Sequence, residues 1–333
     1  MSNNNPSVSV VVPAYNCEKI IAQVLQSIKN QDVLAEVEIV IVDDGSTDKT
    51  GDIVKSFSDV RYIRQENAGP AAARNRGFKE THGDIVFFTD SDCLPQKDWI
   101  STAMPHFAES NIAVVAGTYG IANENSWLAR YIYLEIRYRH DKLLPIYPKS
   151  FGSYNFGIKR NVFQDLNGFN TTYRHASGED NDLSYRLLNA GHKIFFERNS
   201  CVRHYHPVDL GKYFFEQFRH GFWRVKMYLD HPRMTVGDDY TFGKDIFEPA
   251  AVLLLLLFSF LGALDSNFMV FLILPLLCIM LFVEFYFAYQ ITKTFKDALV
   301  FGTIMFLRAF YRTLGFISAV PYFLAKKIIK KSK

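Results

Sequence analysis

The chain has 333 residues, a formal net charge of +3 and a hydrophobic fraction of 49%. This much apolar material excludes intrinsic disorder, and the small net charge, without a basic stripe, argues against a nucleic-acid-binding protein. The four cysteines lie far apart with no CxxC pair, which favours a reducing compartment over a disulfide framework or a structural zinc site.

The first third of the sequence alternates between two periods. Short β-branched and aromatic runs at Ser7–Val12, Glu36–Val42 and Asp84–Phe88 predict strands that are buried on both faces of a sheet. Apolar residues at helical spacing lie between them, over Ile20–Ile28 and Ile53–Phe57. Strand and helix in alternation predict right-handed βαβ units, and so a Rossmann-like α/β fold with a mostly parallel sheet.

Polar clusters follow three of the predicted strands. They are Pro13–Asn16, Asp43–Asp48 and Asp90–Asp92. Ligands of such sheets bind beyond the carboxyl ends of the strands, so we expect these clusters to meet in one crevice. Neither a GxGxxG fingerprint nor a Walker loop occurs, which argues against a dinucleotide site and a P-loop.

The Asp90-Ser91-Asp92 cluster has the chemistry of a cation site. Two carboxylates just past a buried strand suit one hard cation, Mg²⁺ or Mn²⁺, held partly by phosphate oxygens. A solvated turn is the alternative. The position at a strand end favours the cation, because the two carboxylates would otherwise repel each other.

The cluster after the second strand contains two adjacent acids. One interpretation is a turn with an N-cap from Ser46 or Thr47 for the next helix. The other is that Asp44 accepts a hydrogen bond from the imino N–H of a pyrimidine base, with the Tyr15 ring against the base. If this cluster is a ligand site, Arg74, near the start of a helix, binds a phosphate or stabilises an acid. If the cluster is only a turn, Arg74 is an ordinary surface arginine.

The middle of the chain, roughly residues 111–234, has fewer regular strands. A helix is predicted over Asp180–Asn189 and short strands over Lys193–Phe196 and Ser200–Arg203. His204 and His206 follow the last of these strands, and alternation places both on one face.

Two long apolar stretches follow, at Ile246–Leu264 and Phe268–Tyr289, with only Asp265–Asn267 between them. About 20 residues of helix cross a bilayer core of about 30 Å, so these stretches predict a transmembrane hairpin. Buried core helices of a large soluble protein are the alternative.

A third apolar stretch, Ala298–Leu324, contains Arg308, Arg312 and Pro321. A charge at mid-span costs about 2.5–3.5 kcal/mol on insertion scales, so we expect an amphipathic helix that lies in the membrane interface. The lysines after the second span and in the tail that starts at Lys326 place both regions on the cytoplasmic side. The polar N-terminus has no signal-peptide core, and we expect it in the cytoplasm too, in a multi-pass protein of the cell membrane.

Six motifs occur in order over roughly residues 7–225, about two-thirds of the chain: VVPAYN, VDDGSTD, NAGPAAARN, DSD, Gly178-Glu179-Asp180 and Gln217-Phe218-Arg219-His220-Gly221. Together they resemble the motifs of glycosyltransferase family two, inverting sugar transferases of the GT-A fold, in its membrane-anchored bacterial or archaeal form.

The resemblance implies a nucleotide-diphosphate sugar donor, most naturally a UDP- or GDP-sugar, and a divalent cation, Mn²⁺ or Mg²⁺, on the DSD motif. Carried over by position, Tyr15 and Asp44 hold the base, and Asp90 and Asp92 meet the ribose and the metal-bound diphosphate. The remaining donor-site residues carried over in this way are Pro13, Gly69, Arg74 and Ser91.

The resemblance also implies direct displacement with inversion, in which Asp180, beside Glu179, is the base. A helix N-terminus stabilises anions, which predicts an ionised Asp180 at neutral pH; helix capping is the alternative role for these acids. His204, preferred over His206, is implied as a further contact to the metal or diphosphate, against a structural histidine.

The motif that contains Arg219 departs from the QxxRW element of processive synthases, because Trp223 is displaced. The departure argues against processive polymerisation. Two interpretations of this motif remain open. Arg219 lies near the leaving diphosphate, or the segment is an amphipathic helix in the membrane interface.

The sequence thus predicts four parts: a nucleotide-sugar-binding half (1–110), an acceptor-binding half (111–240), two transmembrane helices (246–290) and an interfacial helix with a basic tail (294–333). The expected acceptor is a hydroxyl of a lipid-linked compound or a glycan, at the cytoplasmic face of the membrane, with membrane lipids but no nucleic acid as partners. A polyprenyl-phosphate glycosyltransferase and a non-catalytic sugar-nucleotide-binding scaffold are the alternatives.

Overall fold

The computed structural model describes residues 7–33, 36–174, 178–232, 239–262 and 269–331. The chain divides into two compact units. The first, which we call the sheet unit, comprises residues 1–124 and 144–206, and the second, the helical unit, comprises residues 125–143 and 207–333. The predicted boundary at residue 110 lies within the sheet unit, since strands on both sides of that residue belong to one sheet, and the division of this unit into two functional halves stays a prediction.

The sheet unit is built on an eight-stranded sheet. The strands are β1 (Val8–Ala14), β2 (Val37–Asp43), β3 (Val60–Arg64), β4 (Ile85–Thr89), β5 (Cys93–Pro95), β6 (Ile112–Ile121), β7 (Asn155–Lys159) and β8 (Lys193–His204). Their order is β3-β2-β1-β4-β7-β6-β8-β5. The first four of these in sheet order are mutually parallel, and β7 is antiparallel to both of its neighbours.

Helices cover the sheet and form the second unit. They are α1 (Ile21–Lys29), α2 (Thr50–Lys55), α3 (Pro70–Lys79), α4 (Trp99–Ala103), α5 (Trp127–Lys142), α6 (Arg160–Asp165), α7 (Glu179–Asn189), α8 (Leu210–Asp230), α9 (Gly243–Gly262), α10 (Leu274–Thr292) and α11 (Phe295–Lys331). Of these, α5 and α8 to α11 belong to the helical unit.

Alternating residues of the central strands face opposite sides of the sheet. In β1, Val10 packs in the cluster that contains the α1 residues Val24 and Leu25. Its neighbour Val11 packs in the cluster that contains Leu183 of α7. Both faces are therefore covered, and this explains the nearly continuous apolar runs. Each fully buried side chain of this kind contributes about 1.5–3 kcal/mol through the hydrophobic effect.

The carboxyl ends of β1 and β4 separate. Their pairing ends at Val11 and Phe88, whereas β1 pairs with β2 as far as Ala14 and Asp43. Pro13 is tolerated inside β1 because no β4 residue pairs with it on that side. The sheet order reverses direction between β1 and β4, and ligands of open α/β sheets bind at such a switch point.

The predicted elements agree with the observed ones to within a few residues. β1 reaches Ala14 rather than Val12 because Pro13 still lies in register with β2. The two short strands predicted after residue 192 are one strand, β8. A register shift separates Glu197 from Cys201 in its pairing with β6, and this irregularity produces the break in the sequence pattern.

Three helices of the described chain are long and apolar enough to cross a membrane. They are Gly243–Gly262 (20 residues), Phe271–Thr292 (22 residues) and Phe295–Ala325 (31 residues). The first two correspond to the predicted hairpin, whose turn at 265–267 lies outside the described residues. The third belongs to one continuous 37-residue helix, α11. Its placement in the interface stays a prediction.

Buried ion pairs connect the helices of the helical unit. Arg308 of α11 lies 2.5 Å from Glu135 of α5, and Arg139 of α5 lies 2.6 Å from Asp245 of α9. Lys244 of α9 donates to Glu284 of α10 at 2.9 Å. The Arg308 charge is thus paired inside the protein, which lowers the cost of placing it in an apolar helix.

Backbone contact between α8 and α11 depends on two glycines. A Cβ on Gly315 would lie 2.0 Å from the Phe218 carbonyl oxygen, and one on Gly221 would lie 1.9 Å from the Arg312 carbonyl oxygen. We therefore expect Gly315→Ala to lower the free energy of unfolding by about 1–3 kcal/mol or more, as overpacking does. Intrinsic fluorescence melting of the full chain in detergent measures the effect.

Gly243→Ala is the matched control, because a Cβ on Gly243 meets no atom within 4 Å. We expect this variant to melt at the wild-type temperature. Equal melting temperatures for the two alanine variants would contradict the close crossing of α8 and α11.

Candidate active site

The Asp44 carboxylate holds the segment that leads into α3. It is 4% exposed and accepts hydrogen bonds from the Gln65 amide at 2.7 Å and from the backbone N–H groups of Ala68 and Gly69, both at 2.9 Å. These bonds satisfy backbone donors just before the helix begins. Asp44 therefore fixes the position of α3 at the carboxyl edge of the sheet.

Gly69 is required at the start of α3 for two reasons. Its φ is +91°, a backbone conformation that residues with a Cβ rarely adopt. A Cβ would also lie 2.3 Å from the Arg174 carbonyl oxygen. Pro70 follows at the first helical position, where its missing N–H has no helical partner to lose. The glycine thus belongs to the architecture of the site.

Arg74 lies one turn into α3 and joins two distant parts of the chain. It is 1% exposed; its Nη2 donates to Asp90 at 2.5 Å and its Nη1 to Glu179 at 3.1 Å. The guanidinium lies 5.4 Å from the centre of the Phe169 ring. Although burial opposes the charge, the acids Asp90 and Glu179 raise the pKa of Arg74 above its usual value. Acids from the end of β4 and from the start of α7 therefore meet on one cation.

The adjacent acid Asp43 has a structural role. It is fully buried and accepts hydrogen bonds from the Tyr62 hydroxyl at 2.6 Å, from Arg64 at 3.1 Å and from the Ser46 N–H at 2.7 Å. Burial alone would raise its pKa, but these donors hold the pKa of Asp43 below its usual value. Tyr62 and Arg64 were not predicted from the sequence as partners of Asp43; alternation along β3, which places both on one face, is the signal that indicates them.

Asp92 faces His204 instead of Arg74. The Asp92 Oδ2 lies 3.3 Å from the His204 Nε2. Ligand atoms of Asp92, Cys93 and His204 all lie within 4.8 Å of one another, and among the described residues they form a group able to hold a metal ion. The Asp92 side chain is 43% exposed; its partial desolvation would raise the pKa, but the neighbouring His204 holds the pKa of Asp92 below its usual value.

A carboxylate and an imidazole fit a divalent cation such as Mn²⁺. The third group fits less well, since burial keeps the pKa of the Cys93 thiol well above its usual value and so keeps the sulfur protonated. Asp92 and His204 are therefore the residues that fit the metal. Asp90 and His206 lie outside this group.

His206 contacts His204. Their Nδ1 atoms lie 2.9 Å apart, and the His206 backbone N–H donates to the Asn123 side chain at 3.1 Å. Burial and the neighbouring His204 lower the pKa of His206 to about 3, so it is neutral at physiological pH. One Nδ1 must donate and the other accept, so His206 orients the His204 ring and restricts its tautomer.

Asp180 lies in the first turn of α7, after Gly178, whose φ is +109°. Burial and the negative charge of Glu179 raise the pKa of Asp180 to about 7. The expectation that the helix N-terminus keeps this acid fully ionised at neutral pH therefore does not agree with the structure. Desolvation and a neighbouring carboxylate outweigh the helix dipole.

Four further residues singled out from the sequence differ in their surroundings. Tyr15 follows β1 with 52% of its surface exposed, so its ring is available to a ligand, whereas Pro13 is buried inside that strand. Ser91 is half-buried between Asp90 and Asp92. Arg219 belongs to α8 of the helical unit.

An open cavity of about 500 Å³ adjoins the segment that Asp44 holds. It is lined by Gly45, Arg64, Gln65, Glu66 and Asn67. Its volume lies within the range of small-molecule pockets. The cavity could not be predicted from the sequence, because its walls come from Gly45 and from residues 64–67, which are distant in sequence.

The sequence was compared with known families and proteins. The model of "Glycosyl transferase family 2" matches residues 9–177. Glycosyltransferase GlyA of Streptococcus pneumoniae is 40% identical over 122 residues, 35% of this chain and 17% of GlyA. Pre-mycofactocin glycosyltransferase of Mycobacterium tuberculosis is 28% identical over 242 residues, 68% of this chain. The chain spans 49% of the length of that relative.

A solved structure has the same fold over nearly the whole chain. Mannosyltransferase PcManGT of Pyrobaculum calidifontis, in complex with GDP-Man and Mn²⁺, superposes with a TM-score of 0.63 at 19% identity, covering 94% of this chain and 88% of its own. The family match extends over half of the sequence and includes the three strand-end clusters and Arg74. The chain therefore belongs to glycosyltransferase family 2, with the GT-A fold that its motifs predict.

Proposed function

We propose that the chain transfers a sugar from a nucleotide-diphosphate donor to a hydroxyl of a lipid-linked or glycan acceptor, with inversion at the anomeric carbon. The observation that carries the proposal is the buried Arg74. It brings Asp90, at the end of β4, and Glu179, beside Asp180, to one place at the carboxyl edge of the sheet. Residues of the donor site and of the acceptor site are thus joined by one side chain.

Asp92 and His204 are the residues that would hold a divalent cation. When bound, the cation neutralises charge on the diphosphate leaving group. The PcManGT structure contains Mn²⁺ and GDP-Man, which supports Mn²⁺ and a GDP- or UDP-sugar for this chain. His206 keeps His204 in place. Asp90, which pairs with Arg74, orients the donor together with that arginine.

Asp180 acts as the base in the proposed reaction. The acceptor hydroxyl gives its proton to the Asp180 carboxylate, its oxygen forms a bond to the anomeric carbon, and the bond from that carbon to the diphosphate breaks. A base with a pKa of about 7 is well matched to neutral pH. Glu179 is buried and paired with Arg74, so we assign it the role of positioning Arg74.

The donor base is proposed to lie between the exposed Tyr15 ring and the segment held by Asp44. In the described structure the Asp44 Oδ2 accepts one hydrogen bond, from Gly69, and a carboxylate oxygen accepts a second from a base N–H without losing the first. Pro13, buried near the end of β1, is proposed to line this pocket.

The three apolar helices are the basis of the proposed membrane arrangement. We propose that α9 and α10 cross the membrane and that α11 lies in the interface, with the sheet unit and the end of α11 in the cytoplasm. Exposed side chains of α9 and α10 support this arrangement, among them Phe260, at 67%, and Phe282, also at 67%, since such surfaces are costly in water.

Transfer assays with radiolabelled donors test the acceptor. Membranes that contain the full chain are supplied with labelled UDP- and GDP-sugars, and the organic and aqueous phases are counted separately. We expect label in the lipid extract that depends on Asp180. Label that enters only water-soluble products would contradict the lipid-linked acceptor.

A further inference from the structure

The contact between α8 and α11 carries polar side chains on both helices. Arg308 and Arg312, one turn apart on α11, face Tyr213 and Gln217, one turn apart on α8. The Arg308 Nη1 lies 3.4 Å from the Tyr213 hydroxyl, and the Arg312 Nε donates to the Gln217 amide oxygen at 2.9 Å. Two guanidinium groups thus lie along one helix contact.

Three buried donor nitrogens of the two helices have no hydrogen-bond partner among the described residues. Arg308 is 2% exposed, and its Nε and Nη2 are buried without a hydrogen-bond partner among the described residues. The same is true of the Arg219 Nε, on the next turn of α8. Arg308 is paired with Glu135 through Nη1, but a buried N–H without an acceptor is destabilising, so the remaining N–H donors fit a ligand that brings acceptor oxygens.

The local charge favours an anion. Arg312, Arg224 and Arg219 place positive charge around the exposed His220. Within the part of the chain that the structure describes, Arg312 forms no ion pair. Arginine matches phosphate oxygens with paired N–H donors.

The surface around these arginines is apolar. Phe215 of α8 is 60% exposed, and Tyr311 and Leu314 of α11 are 40% and 47% exposed. A free anion leaves such surface in water, whereas a phosphate that carries hydrocarbon covers it. The combination of cationic donors and exposed apolar side chains fits an amphiphile.

We propose that α8 and α11 form a binding site for the phosphate group of a membrane lipid, with Arg219, Arg308 and Arg312 as the donors. The inference rests on the membrane attachment in the proposed function and is independent of the sugar-transfer chemistry. The lipid phosphate accepts hydrogen bonds from the arginines, and its hydrocarbon lies against the exposed face of α11.

Native mass spectrometry of the full chain in detergent tests the proposal, with phosphatidic acid, phosphatidylcholine and inorganic phosphate as probes. We expect phosphatidic acid to bind at least about tenfold more tightly than phosphatidylcholine. Arg219→Gln with Arg312→Gln should weaken it by about a hundredfold, since each tenfold step corresponds to about 1.4 kcal/mol per arginine. Arg312→Lys, which keeps the charge, should retain part of the affinity.

Arg137→Gln is the matched control, because Arg137 lies on α5 with 61% of its side chain exposed. Melting temperatures and donor binding, measured on the same samples, show whether each variant is folded and separate a failure of this site from a failure of the proposed reaction. Equal affinity for phosphatidic acid in wild type and double variant would overturn the proposal. Full displacement of phosphatidic acid by millimolar inorganic phosphate would overturn its assignment to a lipid.

Discussion

Asp180→Asn is expected to lower kcat by roughly 10²–10⁴-fold, the range that general-base catalysis contributes, while leaving donor affinity nearly unchanged. The substitution keeps the shape of the side chain and removes its ability to accept the proton of the acceptor hydroxyl. Steady-state kinetics with a saturating donor, combined with calorimetric titration of the nucleoside diphosphate, separates the two effects.

Asp182→Asn is the matched control in the same helical turn. Asp182 is 3% exposed and lies 2.7 Å from Arg186, so its loss should lower the melting temperature and leave kcat close to that of the wild type. A phosphate acceptor, already anionic, requires no base. A merely severalfold loss in Asp180→Asn would therefore indicate a polyprenyl-phosphate acceptor and contradict the hydroxyl acceptor.

The pH dependence of kcat/KM gives an independent check of the same residue. The base is active when deprotonated, and its pKa is raised to about 7, so the rate should rise with pH and level off above that value. Glu179→Gln removes the negative charge that helps to raise this pKa, so the acidic limb should move to lower pH. An unchanged profile in Glu179→Gln would contradict the coupling between the two acids.

Arg74→Gln is expected to cost about 3–5 kcal/mol of stability, because it removes the buried cation that Asp90 and Glu179 share. Donor binding should fall with it, since Asp90 loses its orientation. Thermal melting and titration of the nucleoside diphosphate measure the two effects. Glu179→Gln combined with Arg74→Gln should cost less than the sum of the single substitutions.

Arg76→Gln is the control for this prediction. Arg76 lies on the same helix with 53% of its side chain exposed and pairs with Glu80 at 3.1 Å, so its loss should change stability by about 0.5 kcal/mol or less. Similar losses for Arg74→Gln and Arg76→Gln would show that the buried bridge does not organise the site.

The strands and the places where they end could be predicted from the sequence. Strands buried on both faces need nearly continuous apolar residues, and β1, β2 and β4 show them. The polar residues that interrupt these runs mark the carboxyl edge of the sheet. The alternation of apolar runs and polar residues therefore predicts that Tyr15, Asp44 and the Asp90–Asp92 cluster follow the ends of strands.

The partners within the site could not be predicted in this way. Arg74 and Glu179 are 105 residues apart, and nothing in either local sequence indicates that they meet. The partners of Asp90 and Asp92 could not be predicted either. Although only Ser91 separates the two acids, Asp90 pairs with Arg74 and Asp92 pairs with His204. The raised pKa of Asp180 depends on burial, which is a property of the folded chain and not of helix position.

The helical unit shows the same limit. Helix α5 interrupts the sheet sequence between β6 and β7, yet it belongs with the apolar helices. In the sequence, the charge of Arg308 indicated that this helix does not cross the membrane. In the structure, Arg308 is paired with Glu135, 173 residues away. Charge in an apolar segment therefore has to be judged together with its partner in the fold.

Calorimetric titration of a nucleoside diphosphate, with and without Mn²⁺, tests most directly whether one metal-bound diphosphate lies at the sheet edge. We predict that Mn²⁺ tightens binding to the wild type by about tenfold or more, that Asp92→Asn abolishes this gain, and that the exposed Asp98→Asn keeps it. Equal binding with and without Mn²⁺ in the wild type, or an undiminished gain in Asp92→Asn, would contradict the proposed site.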